Sequence, residues 1–122
     1  MFDFSSFRKA IGSLEEILAL EPDEYIRDGA IQRFEYTFEL AWKSMQRLLK
    51  EEGVRAGSPK QTFRAAMEAG IIESVEPWFE FLKARNLTVH TYNADMADEV
   101  YETAKALPPL ARKLLEVLEE RA

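Results

Sequence analysis

A chain of 122 residues can bury one core but not two, so a single domain spanning residues 1–122 is expected. Hydrophobic residues at 47% and charged residues at 31% describe an ordinary globular protein, and five Gly and five Pro leave little sequence for loops, which favours helix. The lack of cysteine excludes disulfides, thiolate zinc sites and cysteine nucleophiles, the lone histidine excludes a His-rich metal centre, and a net charge of −6 argues against broad nucleic-acid binding, so no DNA partner is expected.

The first residues, Met1-Phe2-Asp3-Phe4-Ser5-Ser6, lack the basic start and apolar run of a signal peptide. No stretch approaches membrane-spanning length, so a cytoplasmic protein with no membrane partner is expected. Phe7, Ile11, Leu14, Ile17 and Leu18 fall on one stripe and predict a first helix from about Ser5 to Leu20, closed by the turn Glu21-Pro22-Asp23. Ile31, Phe34, Phe38, Ala41, Trp42, Met45, Leu48 and Leu49 give the second and longest helix one apolar face, with Gly53 as its stop. Counted from Asp23, it spans about 45 Å at roughly 1.5 Å per residue. Gly29 weakens its first turns by about 1 kcal/mol relative to Ala, which places the start of the regular part later.

Ser58-Pro59-Lys60-Gln61 reads as a helix start, with Ser58 the cap, Pro59 at the first helical position and Gln61 placed to close a capping box; Gly70 ends this third helix. Ser74 caps a fourth segment carrying Val75, Trp78, Phe79, Phe81 and Leu82, which runs directly into Arg85 and Asn86. Asn93 or Asp95 caps the next helix, whose stripe is Met96, Val100, Tyr101, Ala104 and Leu107. Pro108-Pro109 is expected to kink or break it before Leu110, Leu114, Leu115, Val117 and Leu118 complete the core. No strand pattern competes. The fold class is therefore all-α, an up-and-down antiparallel bundle of four to five helices.

Lys43, Arg47, Lys50, Arg55, Lys60 and Arg64 gather mid-chain, and solvated helix faces are the preferred account of them. Glu35, Glu39 and Lys43 share a helical face; an exposed pair between Glu39 and Lys43 explains them better than a metal site, and no metal or other cofactor is assigned. Helical spacing places most of Trp42, Trp78 and the eight Phe in the core or at a subunit interface rather than in base stacking.

Arg85-Asn86-Leu87-Thr88-Val89-His90-Thr91-Tyr92 is the segment that carries chemistry. It concentrates a guanidinium, a carboxamide, an imidazole and a phenol in one stretch between two helices. Arginine is a permanent, forked phosphate binder and histidine titrates near neutral pH, a combination suited to phosphoryl chemistry on RNA. On an unbroken helix Arg85 and His90 lie about 140° apart. Either the helix breaks near Asn86 or the two side chains meet across a subunit interface.

The spacing Arg85-Asn86 to His90 and Tyr92 resembles the Arg, four to six residues, His signature of the HEPN superfamily. With Gln32-Arg33-Phe34-Glu35-Tyr36-Thr37-Phe38-Glu39-Leu40-Ala41-Trp42-Lys43, Ser58-Pro59, Gly70-Ile71-Ile72 and His90-Thr91-Tyr92-Asn93, nearly the whole chain is similar to the small helical proteins known as nucleotidyltransferase substrate-binding. The resemblance implies a homodimer whose two Arg-His motifs face a shared cleft, typically encoded beside a minimal nucleotidyltransferase as a toxin–antitoxin pair. It implies a metal-independent endoribonuclease with Arg85 and His90 catalytic, Asn86 shaping the site, and Tyr92 the position to which the partner attaches AMP. Added phosphodiester charge two residues from His90 would occupy Arg85 and repel RNA. The alternative is a non-catalytic substrate-binding subunit of a nucleotidyltransferase complex.

Overall fold

The computed structural model describes residues 3–122; Met1 and Phe2, part of the segment read as lacking a signal peptide, lie outside the described residues. Six α-helices follow in chain order: α1 Ser5–Leu18, α2 Glu24–Glu51, α3 Pro59–Glu68, α4 Glu76–Leu87, α5 Ala94–Ala104 and α6 Leu107–Arg121. A 3-10 turn, Thr88–His90, joins α4 to α5. Six helices rather than four to five result because the break near the prolines is complete. Ala106 ends the connection, and Pro108 and Pro109 sit in the first turn of α6, where missing backbone donors cost little.

Local chemistry sets the ends of the elements. Asp23 accepts the Ile26 N–H at 2.7 Å and starts α2. The helix runs through Gly29 without delay, contrary to the expected late start, and the reason is packing. A Cβ at Gly29 would lie 2.7 Å from Ile17 Cδ1, so the missing side chain lets α1 and α2 approach. At the other end Gly53 takes φ +86°, and the N–H groups of Gly53 and Val54 close onto the carbonyls of Lys50 and Leu49. Gly70, at φ +75°, ends α3 with the same pair of bonds. Ser58 caps α3 as expected, whereas Gln61 accepts from Gly57, one residue before the cap. The cap position of α4 is Val75, one residue after Ser74, whose hydroxyl accepts from Glu76.

α2 is the central element and packs against each of the other five helices. Its pairing with α1 is antiparallel: Ile17 approaches Gly29, and Thr37 donates to the Ala10 carbonyl. α1 and α6 are also antiparallel, tied by Arg8 to Glu119 and by Arg112 to Glu15. α4 runs alongside α2 in the same sense, because α3 intervenes between them; Phe34 meets Phe81 and Glu39 meets Arg85. Five buried rings, Phe34, Phe38, Phe63, Trp78 and Phe81, close a circuit with centroid separations of 5.4 to 6.3 Å that joins α2, α3 and α4. Such contacts contribute about 0.5–1.5 kcal/mol per pair beyond area burial. Trp42 stays outside this circuit, half-buried, with its indole N–H on Glu39 Oε2 at 3.0 Å. No helix among the described residues is long and apolar enough to cross a membrane.

Candidate functional site

The parallel course of α4 and α2 delivers Arg85, in the last turn of α4, against Glu39 at the middle of α2. Arg85 Nη1 lies 2.9 Å from Glu39 Oε1, and its guanidinium carbon sits 5.8 Å from the Phe38 ring centre. The contact with Glu39 brings opposite charges together without hydrogen-bond alignment. Glu39 Oε1 and Arg85 Nε are the buried side-chain polar atoms left without a hydrogen bond among the described residues. The charge attraction across the 2.9 Å contact offsets part of what leaving such atoms unbonded costs. The pair expected between Glu39 and Lys43 exists at 3.8 Å, but Arg85 is the closer partner and Trp42 holds the second carboxylate oxygen. No cluster of three or more metal-ligating side chains occurs among the described residues.

Beyond Arg85 the α-helix continues past Asn86 to Leu87, then tightens. The Thr88 hydroxyl donates to the Arg85 carbonyl at 2.7 Å, and the Thr91 hydroxyl to the Thr88 carbonyl at 3.0 Å. Asn93 closes the segment by accepting the N–H groups of Asp95 and Met96, which settles the choice of cap for α5. His90 and Tyr92 project from this turn with their rings edge to face, 6.1 Å between centroids. Tyr92 is 87% exposed, and Asn86 and His90 are exposed as well. Within one chain, Arg85 thus faces inward to Glu39 and Phe38 while His90 and Tyr92 face outward, with no hydrogen bond or ring contact joining Arg85 to His90 among the described residues. Sequence reasoning missed the role of Glu39; its place on the helical face shared with Glu35 and Lys43 was visible, its partner on α4 was not.

A protein-family model described as "Nucleotidyltransferase substrate binding protein like" matches residues 2–120. The chain belongs to this family. Family membership bears out the resemblance noted above for nearly the whole chain. Among relatives, a Haemophilus influenzae protein named "Probable ribonuclease HepT" is 34% identical over 98 residues, covering 76% of this chain and 67% of the relative. A solved structure from Thermus thermophilus superposes with a TM-score of 0.86 at 39% identity, over 92% of this chain and 98% of the other. A second, from Haemophilus influenzae and described as revealing the fold of a substrate binding domain of a nucleotidyltransferase, gives 0.85 at 27% identity over 96% and 99%. The all-helical fold of this family is the fold found here.

Proposed function

We propose that this protein is a metal-independent endoribonuclease of a toxin–antitoxin pair, active as a homodimer and silenced when a minimal nucleotidyltransferase attaches AMP to Tyr92. The observation that carries the proposal is the placement of Arg85, in the last turn of α4, beside Glu39 and Phe38 and five residues before an exposed His90 in the 3-10 turn that follows. The name of the Haemophilus relative supports the same reading. A homodimer accounts for the separation of Arg85 and His90 within one chain, since a shared cleft lets the motifs of two chains meet.

In the proposed reaction the ribose 2′-oxygen attacks the adjacent phosphorus and the bond from phosphorus to the 5′-oxygen breaks. The products are a 2′,3′-cyclic phosphate and a 5′-hydroxyl. One proton leaves the 2′-hydroxyl and one reaches the 5′-oxygen; His90 is the proton carrier, and its exposed imidazole exchanges with water between turnovers. Arg85 carries the charge that stabilises the phosphorane-like transition state, and Asn86 lies beside it to shape the cleft. The carboxylate beside Arg85, that of Glu39, is already engaged by Arg85 and Trp42, which favours proton transfer over metal assistance.

Cleavage of labelled tRNA and mRNA in EDTA tests this reading, with wild type, Arg85→Ala and His90→Ala purified side by side. Cleavage present in wild type and lost in both variants supports it; equal cleavage in all three, or none, overturns it. A second reading, a non-catalytic subunit presenting its surface to a nucleotidyltransferase, is favoured by the 87% exposure of Tyr92 and by the description of the second solved relative. Binding to a nucleotidyltransferase without RNA cleavage would select it.

A further inference from the structure

The mid-chain cations, expected to be no more than solvated helix faces, fall into an ordered arrangement. Lys43, Arg47 and Lys50 follow one another on α2 at steps of four and three residues, hence along one face. The line starts at Lys43, one turn beyond Glu39, the partner of Arg85, and reaches Lys50 about 10 Å further on at roughly 1.5 Å per residue. It ends in a groove lined by Gln46, Arg47, Lys50 and Arg55, three cations with no carboxylate among the lining residues. This occurs in a protein of net charge −6.

The groove is built rather than incidental. Gly53, at φ +86°, reverses the chain after α2, and Val54 bonds back to the Leu49 carbonyl. Gln46 Nε2 then donates to the Ala56 carbonyl at 2.6 Å, pinning the 53–57 segment against the last turns of the helix. The backbone that carries Arg55 is thereby tied to the helix, and Arg55 lines the same groove as Lys50. The nearby carboxylate of Glu52 does not neutralise the groove, because Arg121 engages it at 2.6 Å. Lys50 and Arg55 make no ion pair among the described residues. Cations near a helix C-terminus also interact favourably with its dipole, which accounts for Lys50 but not for Arg55 or for the pinned concavity.

We propose that this groove, continued by Lys43 toward Arg85, binds the phosphodiester backbone of single-stranded RNA; the inference rests on the ribonuclease reading and extends it to how the substrate is held. Successive cations follow one another along α2 at about 6 and 4.5 Å of helix rise, so a single extended polyanion can lie along the row. No aromatic side chain lines the groove, so it grips charge without stacking bases and discriminates little between sequences.

The test uses the full chain and a short labelled single-stranded RNA with 2′-O-methyl groups throughout, which has no nucleophile and so separates binding from cleavage. Lys50→Glu with Arg55→Glu is expected to weaken binding about ten-fold or more and to reduce the slope of log affinity against log salt by about 1.4, two phosphate contacts at roughly 0.7 each. Lys50→Gln with Arg55→Gln, a milder change that guards against misfolding, shifts both in the same direction. Unchanged affinity and slope in variants with wild-type circular dichroism would overturn the proposal, as would a wild-type protein that fails to bind this RNA. Competition by polyglutamate as effective as by unlabelled RNA at equal charge would also overturn it, in favour of an acidic protein partner. Groove-dependent binding of the methylated strand together with intact natural RNA would support the groove and refute the ribonuclease reading alone.

Discussion

Replacing Glu39 by glutamine removes a charge from Arg85 while keeping the shape of the side chain and an oxygen for Trp42. Each partner of the pair is 31% exposed, so water screens their attraction despite the 2.9 Å contact. The expected coupling is about 1 kcal/mol, the upper end for pairs of this exposure. In a domain of this size such a loss lowers Tm by about 3–6 °C. A double-mutant cycle with Glu39→Gln and Arg85→Met, followed by thermal and urea unfolding, isolates the term, since Arg85→Met keeps the apolar stem over Phe38. A coupling below about 0.3 kcal/mol would refute the argument that Glu39 fixes Arg85. If Glu39 is a positioning residue, Glu39→Gln also slows RNA cleavage while leaving the shape of its pH profile intact, because His90 is untouched.

The same substitution at two glycines should have opposite signs. Gly12→Ala, within α1 and with the nearest atom 3.9 Å from a new Cβ, raises stability by about 0.5–1 kcal/mol, whereas Gly53→Ala, at φ +86°, lowers it by about 1 kcal/mol; urea midpoints decide both. The Arg112 guanidinium, by hydrogen bond first and by charge second, holds the Glu15 carboxyl below its ordinary value near 4.5. A depressed folded value means that this stabilisation is present above about pH 4.5 and is lost as pH falls through the folded value, so Glu15→Gln should flatten the acid limb of a stability–pH curve and leave the neutral region changed by a constant offset. Trp78→Ala opens the aromatic circuit and should cost about 3–5 kcal/mol, measured by urea unfolding. Tyr92→Phe should leave Tm unchanged and abolish any mass increase on incubation with ATP and a cognate nucleotidyltransferase, read by intact-mass spectrometry.

What was legible in the sequence was mostly local. Ser58, Asn93, Gly53 and Gly70 act on backbone groups within a few residues, so their types and spacing suffice to mark where helices begin and end. The apolar stripes likewise announced a helical bundle, because the spacing of Phe34, Phe38 and Leu48 has meaning only on a helix packed along one face. Gly29 was misread because propensity counts only the cost of its freedom, whereas its value lies in a contact with Ile17 on another helix. The pairing of Glu39 with Arg85 was hidden for the same reason: a neighbour four residues away, Lys43, offers a local explanation, and only the parallel run of α2 and α4 supplies a better one. The candidate residues Arg85, Asn86, His90 and Tyr92 were visible as a cluster in the chain, but their division into an inward arginine and outward rings follows from where α4 gives way to the 3-10 turn.

The central position of α2 has a kinetic consequence. With five neighbours covering it, loosening any one helix leaves the others in place, so amides from about Phe34 to Leu49 should exchange with deuterium only when the whole domain opens. The turn Thr88–His90 has no buried residue and is anchored by a few hydroxyl and carboxamide bonds, so its amides should exchange through small local excursions. The fold thus joins a central rod expected to exchange slowly, through the Arg85 contacts with Glu39 and Phe38, to a turn expected to open locally, so His90 and Tyr92 should be able to shift without disturbing the core.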